Sequence, residues 1–133
     1  MTRTVYVNGK YLPENEATVS IFDRGFLFAD GVYEVTSVLD GKLIDFDGHA
    51  RRLARSLGEL GMRNPIATED LLEVHRELVR ANGIVEGLIY LQITRGAAAD
   101  RYFAYPSEDT PPTIVCPQSI SVQTQPGELT ASI

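Results

Sequence analysis

The sequence predicts an α+β fold: an antiparallel sheet of hairpins flanked by two helices. Three observations carry that expectation. Turn dipeptides Asn8-Gly9 and Asp40-Gly41 interrupt β-rich runs, the apolar period lengthens from two to about 3.6 between Asp47 and Asn82, and β-formers return near Gly87. Strands, then helices, then strands describe α+β order and not the alternation of a parallel sheet.

The first hairpin joins Thr4–Val7 to residues 10–12 through Asn8-Gly9, and the second joins residues 32–39 to 42–44 through Asp40-Gly41. Both dipeptides suit a two-residue type I′ turn, which needs two successive positive φ angles. Alternation along the second hairpin places Tyr33, Val35, Ser37 and Leu39 on one face and Val32, Glu34, Thr36 and Val38 on the other.

A helix is predicted over 47–60, because Ala50, Leu53, Ala54, Leu57 and Leu60 recur on one side, with Asp47 as N-cap and Gly61 as terminator. A second helix is predicted after Pro65, capped by Thr68, with Glu69 and Asp70 in its positive first turn. It carries Leu71, Val74, Leu78 and Val79 inward and ends at Asn82-Gly83. Gly87–Thr94 is rich in β-formers, and 112–115 is a short strand behind Pro111-Pro112. Residues 116–133 hold one charged residue, Glu128, and read as a disordered tail or as one edge strand over 119–124. The expected division is a domain over 1–115 and a tail over 116–133.

Composition narrows the function. At 133 residues, 44% of them apolar, the chain suffices for one packed domain. A net charge of −6 disfavours nucleic acid as a partner, since phosphate neutralisation needs a basic face. The local cluster Arg51, Arg52 and Arg55 suits one small anion better than a polymer. A single cysteine, Cys116, provides no disulfide framework, and no apolar run has membrane-spanning length; the expectations are a cytoplasmic location and no membrane partner. His49 and His75 fall on different helices without ligand-spaced neighbours, so no metal site is expected.

Two segments are dense in residues a plain core does not need. Residues 23–34 place three charges and two glycines ahead of a strand, and Arg24 reads as a turn partner of Asp23 or Asp30. On the first helix, His49, Arg52, Ser56 and Glu59 fall on one side. A guanidinium held by a rigid helix presents a planar fork of donors suited to a phosphate dianion, although such a face also serves simply as a solvated surface.

The run Arg24-Gly25-x3-Ala29-Asp30-Gly31-Val32-Tyr33-Glu34, followed by His49-x2-Arg52-Leu53-x2-Ser56, resembles the class IV (fold type IV) aminotransferases, D-amino-acid transaminases above all. The run from Tyr90 to Gly96, leading to Arg101-x-Phe103-x-Tyr105-Pro106, follows in the same order. The resemblance covers about Val5 to Val115 and implies the small N-terminal domain of that fold. It implies pyridoxal 5′-phosphate as cofactor, an amino acid or amine and a keto acid as substrates, and a homo-oligomer.

By the same resemblance, Arg52 holds the cofactor phosphate, Tyr33 lines the substrate pocket, and Arg101 completes a carboxylate trap across a dimer interface. Phe103 stands where the trap has histidine, so one donor is lost and an R-amine substrate becomes an alternative to a D-amino acid. Gln92 replaces an arginine of branched-chain members, and Ala29 replaces a usual glycine, a minor change unless the backbone there needs positive φ.

The lysine that bonds the cofactor in the family belongs to a larger C-terminal domain. Lys10 and Lys42 are the only lysines here, and both follow hairpin turns. No catalytic residue is therefore assigned. The expectation is a truncated or frameshifted chain, inactive alone and binding no cofactor by itself. Two alternatives stand beside it: a non-catalytic self-associating or anion-binding module, and a fragment similar to an aminodeoxychorismate lyase.

Overall fold

The computed structural model describes residues 2–98, 100–121, 123–125 and 128–130, with side chains through residue 117. The strands β1 (Thr4–Val7), β2 (Lys10–Pro13), β3 (Gly31–Leu39), β4 (Lys42–Leu43), β5 (Gly87–Thr94) and β6 (Thr113–Ser121) form one sheet, ordered β2-β1-β6-β5-β3-β4. Every pairing in it is antiparallel. Two helices, α2 (Phe46–Glu59) and α3 (Thr68–Ala81), follow a short α1 (Arg24–Phe28); a two-stranded ribbon joins β7 (Gln123–Gln125) to β8 (Glu128–Thr130). The expected α+β architecture is the observed one.

Both helices pack on one face of the sheet. Leu53 and Leu57 of α2, and Leu71, Val74 and Leu78 of α3, are buried against Ile89, Leu91 and Ile93 of β5 and Ile114 and Cys116 of β6. This is the inward stripe expected of amphipathic helices on a sheet whose alternate residues face the core. Burial pushes the Cys116 thiol up to about 12, so it packs as an apolar group. His75 lies edge-on to Phe46, with Nδ1 2.8 Å from the Leu71 carbonyl, and burial lowers its pKa.

The hairpin turns are as expected: Asn8 and Gly9 have φ of 47° and 90°, and Asp40 and Gly41 have 53° and 71°. Several boundaries differ. Asp45, not Asp47, caps α2 by accepting from the Gly48 N–H, and Asp47 lies in the first turn. Thr68 is the first residue of α3 and not its cap; Ala67 precedes it with no side-chain bond. The helix ahead of β3 has no counterpart in the sequence expectations, because α1 is five residues long and has no periodic stripe to reveal it.

The larger correction concerns the chain after 115. The expected boundary falls inside β6, which pairs with β1 at Val115 and Cys116 and runs on along β5 to Ser121; over 119–121 its partner among the described residues is β5, so the expected extra strand there begins as a continuation of β6. The composition past Cys116 is polar, but backbone pairing does not depend on side-chain polarity. The expectations for residues 122, 126–127 and 131–133 fall outside the described residues.

Ala29 ends α1 in the left-handed region, φ 53° and ψ 32°. Its replacement of glycine is therefore not neutral: a Cβ there crowds the following carbonyl, at a cost of roughly 1–2 kcal/mol. Glycine also adds freedom to the unfolded chain, which offsets part of the gain. Ala29→Gly is expected to raise stability by about 0.5–1 kcal/mol in urea unfolding; a destabilised variant would show that the turn carries no strain.

Candidate active site

The two charge-rich segments are brought to the start of β3. Glu34, on the helix-facing side of the strand, is 5% exposed and meets two side chains from α2, an arginine and a histidine. Arg52 donates through Nε to Oε1 and Oε2 at 3.1 and 2.9 Å, and through Nη2 to Oε1 at 2.8 Å. His49, one turn earlier, sets Nδ1 2.7 Å from Oε1. Burial pushes the Glu34 carboxyl up, but the bonds and charges of Arg52 and His49 outweigh it and hold it below its ordinary 4.5. The same contacts raise the Arg52 guanidinium.

Arg52 therefore has one edge on protein and one edge free. Among the described residues its Nη1 makes no hydrogen bond, and 65% of the side chain faces solvent. The basic cluster read from sequence does not converge: Arg55 turns to Glu59 at 3.2 Å, and both are exposed. What remains is one aligned donor edge, whose chemistry fits the oxygens of a phosphate group. Lys10 and Lys42 are exposed beside their turns, and among the described residues neither bonds to Glu34, His49 or Arg52; Arg52 fits the phosphate end of a pyridoxal phosphate.

A second carboxylate lies four residues earlier. Asp30 Oδ2 accepts from Arg24 Nε and from Arg95 Nε, each at 2.8 Å, in a site where Arg24 is 4% exposed. Burial raises its pKa, and the two arginines lower it further than burial raises it, Arg95 first. Arg24 pairs with Asp30, then, and not with Asp23, which instead caps α1 at the Gly25 N–H.

The predicted pocket residues fall into two groups. Tyr33 is 64% exposed on the sheet face away from the helices and stacks on Tyr90 at 5.9 Å, whose hydroxyl donates to Gln92. Arg101 lies on the loop after β5 with its guanidinium 4.6 Å from the Phe28 ring, and Phe103 is 79% exposed. Among the described residues, no hydrogen bond, ion pair or ring contact joins Arg101 or Phe103 to Tyr33 or Arg52. Sequence reasoning missed Glu34 and Arg95 as site residues. An acid on the face shared with Val32, Thr36 and Val38 was the available signal for Glu34.

The amino-transferase class IV family model matches residues 31–130. The chain belongs to the class IV aminotransferases. It is 40% identical over 111 residues to D-alanine aminotransferase of Staphylococcus haemolyticus, covering 84% of this chain and 39% of that protein. The Listeria monocytogenes D-alanine aminotransferase is 38% identical over 104 residues, covering 78% and 36%. Among solved structures, the branched-chain aminotransferase of the thermophilic archaeon Thermoproteus uzoniensis, with norvaline, superposes with a TM-score of 0.76 at 21% identity, over 92% of this chain and 42% of that one. The 4-amino-4-deoxychorismate lyase of Pseudomonas aeruginosa gives 0.66 at 26%, over 92% and 41%. The fold is thus that of the family's N-terminal region, and the chain spans about 39% of the length of the curated relatives it matches.

A carboxylate whose folded pKa is depressed contributes stability above its unfolded value and loses it as pH falls through the folded one. For Glu34 that loss begins below 4.5. Wild-type chain should therefore show a falling urea midpoint below that pH, and Glu34→Gln a flatter acid limb; parallel curves would mean that Glu34 is not held ionised by Arg52 and His49.

Proposed function

We propose that this chain supplies the phosphate-holding arginine and part of the substrate wall of a pyridoxal-phosphate-dependent aminotransferase acting on D-amino acids. The observation that carries this reading is Arg52, aligned by buried Glu34 with one donor edge left over. The relatives named D-alanine aminotransferase support the substrate class.

When bound, pyridoxal phosphate supplies the electron sink for moving an amino group to a keto acid. This chain's own contribution is binding and orientation. Arg52 would hold the phosphate group through its remaining donors, because Nε and Nη2 are already fixed on Glu34 and orient the guanidinium in advance. Tyr33 offers a ring and a hydroxyl held by stacking on Tyr90. Arg101 stands apart from Tyr33, an arrangement suited to meeting a substrate carboxylate from a second copy of the chain. The exposed rings of Phe26, Tyr102, Phe103 and Tyr105 offer apolar surface for such a homo-oligomer. No helix of the described residues is long and apolar enough to cross a membrane; we place the protein in the cytoplasm, consistent with its single buried cysteine.

One observation favours a second substrate class. Phe103 presents an exposed ring where a trap for carboxylates would present a donor, and an R-amine, which brings no carboxylate to that point, would meet the ring by apolar contact.

The test joins this chain to the remaining length of Staphylococcus haemolyticus D-alanine aminotransferase. The chimera is expected to show the visible absorbance of bound pyridoxal phosphate and to form pyruvate from D-alanine. Arg52→Ala should weaken cofactor binding about 10- to 100-fold, the worth of a charge-assisted bond to phosphate. Amino transfer from (R)-1-phenylethylamine in preference to D-alanine would select the second class. A folded chimera that binds no cofactor would refute the reading.

A further inference from the structure

Arg24 has no part in the phosphate or substrate contacts proposed above, yet it is 4% exposed and each of its three side-chain nitrogens donates to the protein. Nε goes to Asp30 at 2.8 Å. Nη1 donates to the carbonyls of Tyr102 at 2.8 Å and Ala104 at 3.3 Å, and Nη2 to that of Phe103 at 3.4 Å. Three successive main-chain acceptors of the loop between β5 and β6 are thus gathered on one guanidinium. Two rings lie beside it: Cζ stands over Phe28 at 4.7 Å and over Tyr105 at 5.7 Å from the ring centres. Phe28 is also the ring beneath Arg101, at 4.6 Å.

Around this clamp the loop's side chains are exposed. Tyr102, Phe103 and Tyr105 are 64, 79 and 72% exposed, so side-chain burial does not fix the loop's path. Backbone acceptors on Arg24, ring contact with Phe28, and the stacking of Arg95 on Tyr105 at 4.2 Å do so instead. Arg95 completes the anchor by sharing Asp30 and donating to the Leu60 carbonyl at 2.8 Å. Only a planar fork reaches three carbonyls and a carboxylate at once; an ammonium is a point donor on a flexible stem.

We infer that Arg24 is a positioning residue: its guanidinium clamps the backbone of residues 102–104 and thereby sets where Arg101 and Phe103 stand. The link to specificity rests on the proposed role of that loop as a substrate wall. The clamp itself does not, since it is built wholly from contacts within this chain. Through Asp30, which immediately precedes β3, the clamp ties the loop bearing Arg101 to the strand bearing Tyr33.

Limited trypsin digestion tests it, because Arg101–Tyr102 is a cleavable bond immediately ahead of the clamped carbonyls. Cleavage follows the population of locally opened chain. In wild type, cutting after exposed Arg101 should be slower than cutting after Arg63, which is exposed in a loop without such a clamp. Arg24→Lys keeps the charge beside Asp30 but lacks the fork, and should speed cutting after Arg101 about tenfold while leaving Arg63 unchanged. Arg95→Lys disturbs the same Asp30 cluster and the stacking on Tyr105 without touching the three carbonyls, and should speed cutting after Arg101 by clearly less than Arg24→Lys does.

Equal acceleration by the two variants would reduce Arg24 to a structural charge partner and overturn the proposal. So would full retention of the wild-type rate by Arg24→Lys. If that variant does not fold, the wild-type comparison still decides: Arg101 cut as fast as Arg63 contradicts a clamp. The readout needs neither cofactor nor substrate, so it stands apart from the outcome of the D-alanine assay.

Discussion

A buried carboxylate facing a helix constrains this structure more than any other single group. Glu34 lies on the core side of β3, where an ionised acid is stable only if it is paired. The partners come from one helix at a spacing of three, His49 and Arg52, so the pair sets the rotation of α2 against the sheet. Leu53 and Leu57 then fall inward by helical geometry. Removing the acid would leave Arg52 in solvent but His49, 23% exposed, without its partner, and would release the rotation of α2. Removing the arginine would leave a buried acid held by histidine alone, which is the more damaging loss.

Asp30 repeats the device four residues away, taking two arginines onto one oxygen. Its cations lead outward: Arg24 to the loop carbonyls, Arg95 to the end of α2 at Leu60. The start of β3 is consequently the node at which helix, loop and sheet are fastened. The side chains offered as functional, Arg52, Tyr33 and Arg101, are each exposed while the groups that orient them are buried or stacked. Supporting contacts of this kind are what hold a site to its geometry in the absence of a ligand.

Much of this was legible in sequence. The Asn8-Gly9 and Asp40-Gly41 turns, the stripe through Leu53 and Leu57, and the β-rich run to Thr94 are local signals, and each produced its element. The family motifs singled out Arg52, Tyr33, Arg101 and Phe103 as candidates, and the structure shows only where each stands. What was not legible is non-local. Glu34 as the partner of Arg52 needs the register of β3 against α2, and Arg95 as the second cation on Asp30 needs β5 beside β3. Strand β6 reads as ending at 115 because its polar residues hide a backbone that pairs along β5. The caps are displaced by one or two residues, since Asp45 and Asp47 are chemically equivalent and only φ distinguishes them.

The central claim is that Glu34 aligns Arg52 in advance of any ligand. Side-chain nitrogen NMR tests it directly, because a guanidinium held through both Nε and Nη2 rotates slowly about its Nε–Cζ bond. Although 65% of Arg52 faces solvent, its Nη protons should give separate, slowly exchanging signals in the ligand-free chain, unlike those of Arg55, 79% exposed. Averaged signals for Arg52, indistinguishable from those of Arg55, would contradict the account.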